Sequence, residues 1–340
     1  MRKERRGPGP ASSIGARRLL PLVFVSLAAT GTGRSALPSL QAVTLIRDGT
    51  HVDVGIGGRA FTTYYFDPAV AKPYFSPLRS AQGTVVTRGF PMRSDIANED
   101  RDEPHQRAMY FAHGDINGFD FWGEAAFPRW SDHGVSTFGR TVFRTLDEIR
   151  GGSDGGRLRV SFDLVTPAGV IAEETQTYDF SGDEQSRIID CEFAIQASHG
   201  PVTMGDTKEG TFAIRVVKAL DSPPGRMVNA NGATGEKGIW GKRAEWVDYS
   251  GRVADEEVGI AVFDHPHNLR APTYWHARGY GLLAANPFGV KQFTGDRRQS
   301  GKHTILAGDA LVFRYRVFIH HGDPLSAQVA EAYRRFAAQK

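Results

Sequence analysis

The stretch "RLRVSFDLVTP", residues 157–167, alternates without a break: Leu158, Val160, Phe162 and Leu164 fall on one face of an extended chain. A period of two is the mark of a half-buried β-strand. The same pattern returns in "HVDVGIGG", with Val52, Val54 and Ile56 on one face. Further strands are expected in "GTVVTRGF", "RTVFRTLDEI", "IAEETQTYDF", "IIDCEFAIQA", "TFAIRVV", "VGIAVFD", "GLLAANPF" and "ALVFRYRVFIH". Turns containing Gly, Asp or Pro separate most of them, and no helices alternate with them. That excludes a doubly wound α/β fold and predicts an all-β chain, a large antiparallel β-sandwich over residues 40–340. One helix is expected at the C-terminus, with Asp323 as N-cap, Pro324 at the first position and Leu325, Val329, Tyr333 and Phe336 at helical spacing.

Composition agrees with a globular chain of 340 residues, 40% hydrophobic and 23% charged, with 39 Gly, 18 Pro and 21 Phe. A net charge of +3, without a basic stripe interleaved with aromatics, argues against a nucleic-acid partner. Cys191 is alone, so no intrachain disulfide forms, and its alternating context predicts a buried, inert thiol. The start of the chain, basic up to Arg18 and then "LLPLVFVSLAATG", reads as a signal peptide and leader over residues 1–36. The expected location is therefore periplasmic or secreted, with no membrane span in the mature chain.

Three clusters carry groups able to do chemistry. In "DEPHQRAMYFAHGDINGFDFWGE", residues 102–124, His105, Arg107, His113 and Asp115 stand close to Trp122. Imidazole beside carboxylate suits general acid–base work, and the same groups could hold a divalent metal. In "MGDTKEGTFAIRV", Asp206, Lys208 and Glu209 precede a strand, and in extended chain Lys208 and Glu209 would face opposite ways. In "FDHPHNLRAPTYWHARGYGLLAANPFG", residues 263–289, His265, His267, Tyr274, Trp275, His276 and Asn286 crowd together. Titratable groups among aromatics suit a sugar, whose C–H faces stack on rings while its hydroxyls need paired donors and acceptors. The expected catalytic set is His105, His113, Asp115, Lys208, Glu209, His265 and His276. Arg107, Trp122, Asp206, His267, Tyr274, Trp275 and Asn286 are the expected substrate contacts. His105, His113, Lys208, Glu209, His265 and His276 are expected to share one concave site. Walker, dinucleotide, G-x-S-x-G and H-E-x-x-H signatures are absent, which removes nucleotide, nicotinamide and zincin chemistry.

Residues 60–340 resemble the bacterial proteins labelled PmoA family, or methane oxygenase-like. The motifs that carry this are "KPYFSPLRSAQGTVVTRGFPM", "PHQRAMYFAHGDINGFDFW", "DTKEGTFAIRV" and "HPHNLRAPTYWHARGYGLLAANPFG". The resemblance implies a β-sandwich, and the label implies a metal-dependent oxygenase. Gln106 departs from the family pattern, in which a second His follows "PH". The ending from Leu306 to His320 is similar to the last strands of galactose-mutarotase-like supersandwiches. The reading that results is an exported carbohydrate-active enzyme of the hydrolase, lyase or epimerase class, acting on a small-molecule or glycan substrate and requiring no cofactor. A non-catalytic glycan-binding sandwich and a metal-dependent oxygenase are the alternatives.

Overall fold

The computed structural model describes residues 39–127 and 137–339. Two eight-stranded sheets face each other. In spatial order the first contains Val43–Asp48 (β1), His51–Ile56 (β2), Arg59–Tyr65 (β3), Tyr74–Phe75 (β4), Met109–His113 (β5), Gly210–Arg215 (β11), Leu282–Asn286 (β16) and Tyr274–Ala277 (β15). The second runs Arg226–Asn229 (β12), Trp246–Val253 (β13), Glu256–Asp264 (β14), Ala310–His321 (β18), Ser186–Gln196 (β9), Gly169–Gly182 (β8), Gly156–Thr166 (β7) and Arg140–Arg150 (β6). Val202–Met204 (β10) and His303–Ile305 (β17) pair separately. The strand pairs within the sheets are antiparallel, so the all-β sandwich expected from the alternation is the observed fold.

Alternation explains the core. Leu158, Val160, Phe162 and Leu164 of β7 turn inward together with Tyr178 and Phe180 of β8 and Cys191, Phe193 and Ile195 of β9. They meet the inward residues of the first sheet, where Phe111 stacks on Phe193 at 4.1 Å and Phe212 on Tyr315 at 5.0 Å. Each such ring contributes on the order of 2 kcal/mol by burial. Cys191 lies in this layer, where burial pushes its thiol up, as an inert thiol requires. One polar cluster interrupts the core. Tyr64 and Tyr178 both donate to Gln176 Oε1 at 2.6 Å, and Gln176 Nε2 donates to Glu174 at 2.5 Å.

Two local expectations are corrected. "GTVVTRGF" makes only isolated bridges, Arg79 with Val85 and Thr87 with Val216, and is not a strand. Short helices at Gly235–Ile239 (α1) and Val290–Thr294 (α2) precede the terminal helix, α3, which is Val329–Ala337 with Gln328 as its N-cap. Asp323 instead caps a preceding turn by accepting from the amides of Leu325 and Ser326, and Leu325 is 88% exposed. Val329, Ala332 and Phe336 do dock, against Trp246, Phe263 and Phe318 on the outer face of the second sheet. The leader at residues 1–36 lies outside the described residues.

Candidate functional site

Alternate residues of β5, β11, β16 and β15 face the core: Met109 and Phe111, Phe212 and Ile214, Leu283 and Ala285, Trp275 and Ala277. Their neighbours must then face outward. The register places Tyr110, Ala213, Ala284 and His276 in one row across four strands, and Ala112 beside Thr211 in the next. Three strand spacings separate Tyr110 from His276, about 14 Å between backbones. Alanine packs poorly as a strand residue, so three of them on one face mark a floor kept low. Trp122 lies over that floor with Tyr110, Ala112, Ala213 and Ala284 in a second apolar cluster, its ring 4.9 Å from that of Tyr110.

The wall over this floor is irregular chain held by buried charges. Arg88 and Arg215, 2% and 1% exposed, project beside each other. Arg88 donates to the carbonyls of Asp102, Glu103 and Gln106 and to the Asp102 carboxylate, all within 2.9 Å. Arg215 donates to Gln106 Oε1 at 2.6 Å and to Asp102 at 3.2 Å. Residues 102–106 are thereby pinned, and they carry His105, whose Nε2 lies 3.6 Å from Glu103 and whose ring faces Trp122 at 6.3 Å. Gln106, the departure from the family pattern, is therefore part of the clamp. Farther on, Arg107 grips Glu124 with two bonds of 2.9 and 2.8 Å, and Lys72 donates to Glu124 and to the Trp122 carbonyl. Burial pushes the Glu124 carboxyl up, but Lys72 and Arg107 outweigh it and hold the group at about 2. Arg107, expected to contact substrate, is committed to this ion pair and to the face of Tyr74.

His276 has one assignable tautomer. Its Nδ1 lies 2.9 Å from the Lys208 carbonyl, which only accepts, so Nδ1 carries the proton and Nε2 keeps its lone pair. Burial lowers its pKa below the usual imidazole value, opposed by the Glu209 carboxylate. Asn286 fixes the same loop: its amide donates to the carbonyls of Thr207 and Lys208, while its oxygen accepts from the amides of Phe288 and Gly289. It is a brace rather than a substrate contact. Lys208 and Glu209 precede β11 and are not in extended chain, so they turn toward each other, Nζ to Oε1 2.5 Å, instead of pointing apart.

The other expected residues divide by topology. Residues 265–273 carry the chain from β14 of the second sheet to β15 of the first, and that crossing splits the polar run at 263–289. Asp264 anchors it, accepting from Asn268 and the Thr273 amide, with burial raising its pKa to about 7. His265 consequently packs against Phe336 of α3 on the far face of the sandwich, and His267 beside it is exposed. Neither joins His276. Trp275 faces the core and donates to the Ala244 carbonyl, and Tyr274 stacks on Phe293. Asp115 caps a turn at Gly118, and Asp206 accepts from the amides of Lys291 and Gly301. His113 points inward to the Gly205 carbonyl and Phe288. His105, Trp122, Glu209 and His276 remain on the outer face.

Tyr110, Thr211, Arg88 and Arg215 were missed. The legible signal was alanine at outward strand positions, Ala112, Ala213 and Ala284. Tyr110 Oη, Trp122 Nε1, Thr211 Oγ1 and His276 Nε2 are buried here with no hydrogen-bond partner among the described residues, as are Arg88 Nε and Arg215 Nε of the wall. Among the described residues no three His, Cys, Asp or Glu side chains are arranged to hold a divalent metal. The nitrogens of His105, His113 and His276 turn to three different partners.

Residues 51–334 match the profile of DUF6807, described as a family of unknown function. No curated protein matches the chain. Among solved structures, a galactose mutarotase-like protein from Clostridium acetobutylicum is 11% identical with a TM-score of 0.41, over 83% of this chain and 99% of that one. An α-galactosidase from Lactobacillus brevis is 10% identical with a TM-score of 0.40, and the match spans 88% of this chain but 43% of the enzyme. The α-N-acetylgalactosaminidase of Bifidobacterium bifidum is 12% identical with a TM-score of 0.33, over 87% of this chain and 38% of that one. None of these names a methane oxygenase.

Proposed function

The chain belongs to the DUF6807 family, and we propose that it is a carbohydrate-active protein that holds one sugar unit against the outer face of the first sheet. The observation that carries this reading is that Tyr110 Oη, Trp122 Nε1, Thr211 Oγ1 and His276 Nε2 are buried without a partner among the described residues. Buried polar atoms without partners cost free energy, and a ligand dense in hydroxyls supplies donors and acceptors to all four. Trp122 gives the apolar surface that a sugar's C–H face requires. In this reading His276 Nε2 takes a proton from the bound sugar, as general base, while Glu209 supports the charge that develops on the ring and is itself held by Lys208. His105 is the second titratable group of the wall. Hydrolysis, elimination and epimerisation share this proton-transfer step. Export through the leader at residues 1–36 belongs to the same proposal, and the mass of the mature N-terminus tests it.

Thr211→Val tests the site sharply. Valine keeps the shape and removes only an unpartnered hydroxyl, so stability should hold or rise. Binding of a monosaccharide panel (glucose, galactose, xylose and glucuronate), followed by saturation-transfer NMR, should be lost in this variant and in His276→Ala. Unchanged binding in both, or no binding by the parent chain, overturns the reading.

A further inference from the structure

On the opposite side of the sandwich, the outer face of the second sheet has a cavity of about 490 Å3. Thr177, Asp179, Asp190, Glu192 and Arg314 line it, and Phe336 of α3 forms one wall. Strand register orders this face into two rows. Arg157, Asp179, Asp190 and Arg316 stand abreast across β7, β8, β9 and β18, and Arg159, Thr177, Glu192 and Arg314 form the next row. Each row has an arginine at both ends and acids or a hydroxyl between.

The pairings run outward from the middle. Arg157 gives Asp179 two bonds of 2.8 and 2.7 Å, Arg316 gives Asp190 two of 2.5 and 2.6 Å, and Arg314 gives Glu192 one of 2.9 Å. Asp179 and Asp190 are nevertheless direct cross-strand partners. Like charges in that position oppose sheet formation, so stability alone does not account for the centre of the rows. Each carboxylate keeps lone pairs beyond its salt bridge, and each guanidinium keeps N–H donors. Acceptors and donors therefore stand side by side at spacings fixed by the sheet.

We propose that this cavity binds a neutral oligosaccharide. Each of the three acids is paired with an arginine, Asp190 with Arg316 from beside the cavity, so the acids present no unpaired charge that selects a cation. An acceptor beside a donor, repeated across the face, fits neighbouring hydroxyls of a sugar, which donate to one group and accept from the other. The short Thr177 side chain leaves the middle of the second row low, and Phe336 supplies an apolar edge. The site is separate from the first-sheet face, with the whole core between them.

Calorimetric titration of the full chain with cellohexaose, xylohexaose and mannohexaose tests this. At least one should bind with Kd of about 1 mM or tighter. Thr177→Trp fills the middle of the row without touching a salt bridge, and tryptophan is well tolerated on a strand. It should weaken binding by at least about tenfold with the melting temperature unchanged. Glu192→Gln, which keeps shape and removes one acceptor charge, should weaken it too, and serves if Thr177→Trp does not fold. His276→Ala, which removes the first-sheet site, should retain a hexaose-binding event that Thr177→Trp removes. The proposal is overturned if no hexaose binds, if Thr177→Trp and Glu192→Gln both bind like the parent chain, or if His276→Ala abolishes binding.

Discussion

Glu174 sits between the two sheets, 2% exposed, with Gln176 as its hydrogen-bonding neighbour and, among the described residues, no cation bonded to it. Burial raises its pKa from the ordinary 4.5 to about 7, and the Gln176 bond opposes that only partly. A raised carboxyl pKa sets the sign. Below the unfolded value both states are protonated and nothing is lost. As pH rises toward 7 the unfolded chain gives up a proton that the folded chain retains, and stability falls by about 1.4 kcal/mol per unit. The whole window is worth about 3 kcal/mol. Glu174→Gln keeps an acceptor for Gln176 and cannot ionise. It should match the parent near pH 4 and exceed it by about 3 kcal/mol at pH 8, measured by urea denaturation at both values. Asp264 shifts in the same direction, but it is present in both proteins and cancels in the difference. A difference between variant and parent that stays constant with pH would refute the reasoning.

Glu124→Gln leaves Lys72 and Arg107 buried without their shared carboxylate and should cost about 3–5 kcal/mol of stability by denaturation; a loss under about 1 kcal/mol would show that the wall has another anchor. Removing residues 329–340 uncovers Trp246, Phe263 and Phe318 and should lower stability by several kcal/mol, whereas Leu325→Ala, at an exposed position, should change the melting temperature little. The His276 ring should titrate below 6.5 by NMR, because burial disfavours its cation. Its contribution to stability is then lost as pH falls through 6.5, where the unfolded imidazole gains a proton first. A midpoint above 6.5 would mean that the Glu209 carboxylate outweighs burial.

The second sheet was legible because one of its faces meets solvent. The alternation of β7, β8 and β9 is written directly in Leu158, Val160 and Phe162 and their counterparts. β5, β11 and β16 are buried on both faces by the wall above them, so "MYFAH" and "LLAAN" read as short apolar runs without a period. The candidate site lies on that less legible sheet. His105, Trp122, Glu209 and His276 could be named because their chemistry is visible in the residue type. His265 and His267 went astray because adjacency along the chain concealed a crossing between sheets. Thr211 and Tyr110 are ordinary strand residues, and only the register shows that they look onto the same floor as His276.

The wall's anchors also separate shape from charge state. The Glu124 carboxyl titrates at about 2, and Arg88, its pKa lowered mainly by burial, still holds its proton up to about 10. Between those limits the Glu124 carboxylate and the Arg88 guanidinium keep the same ionic form, while burial lowers the pKa of His276 below the usual imidazole value. Glu124 and Arg88 therefore hold their charges through the range in which an imidazole ordinarily titrates, so the anchors they make do not depend on the proton at His276.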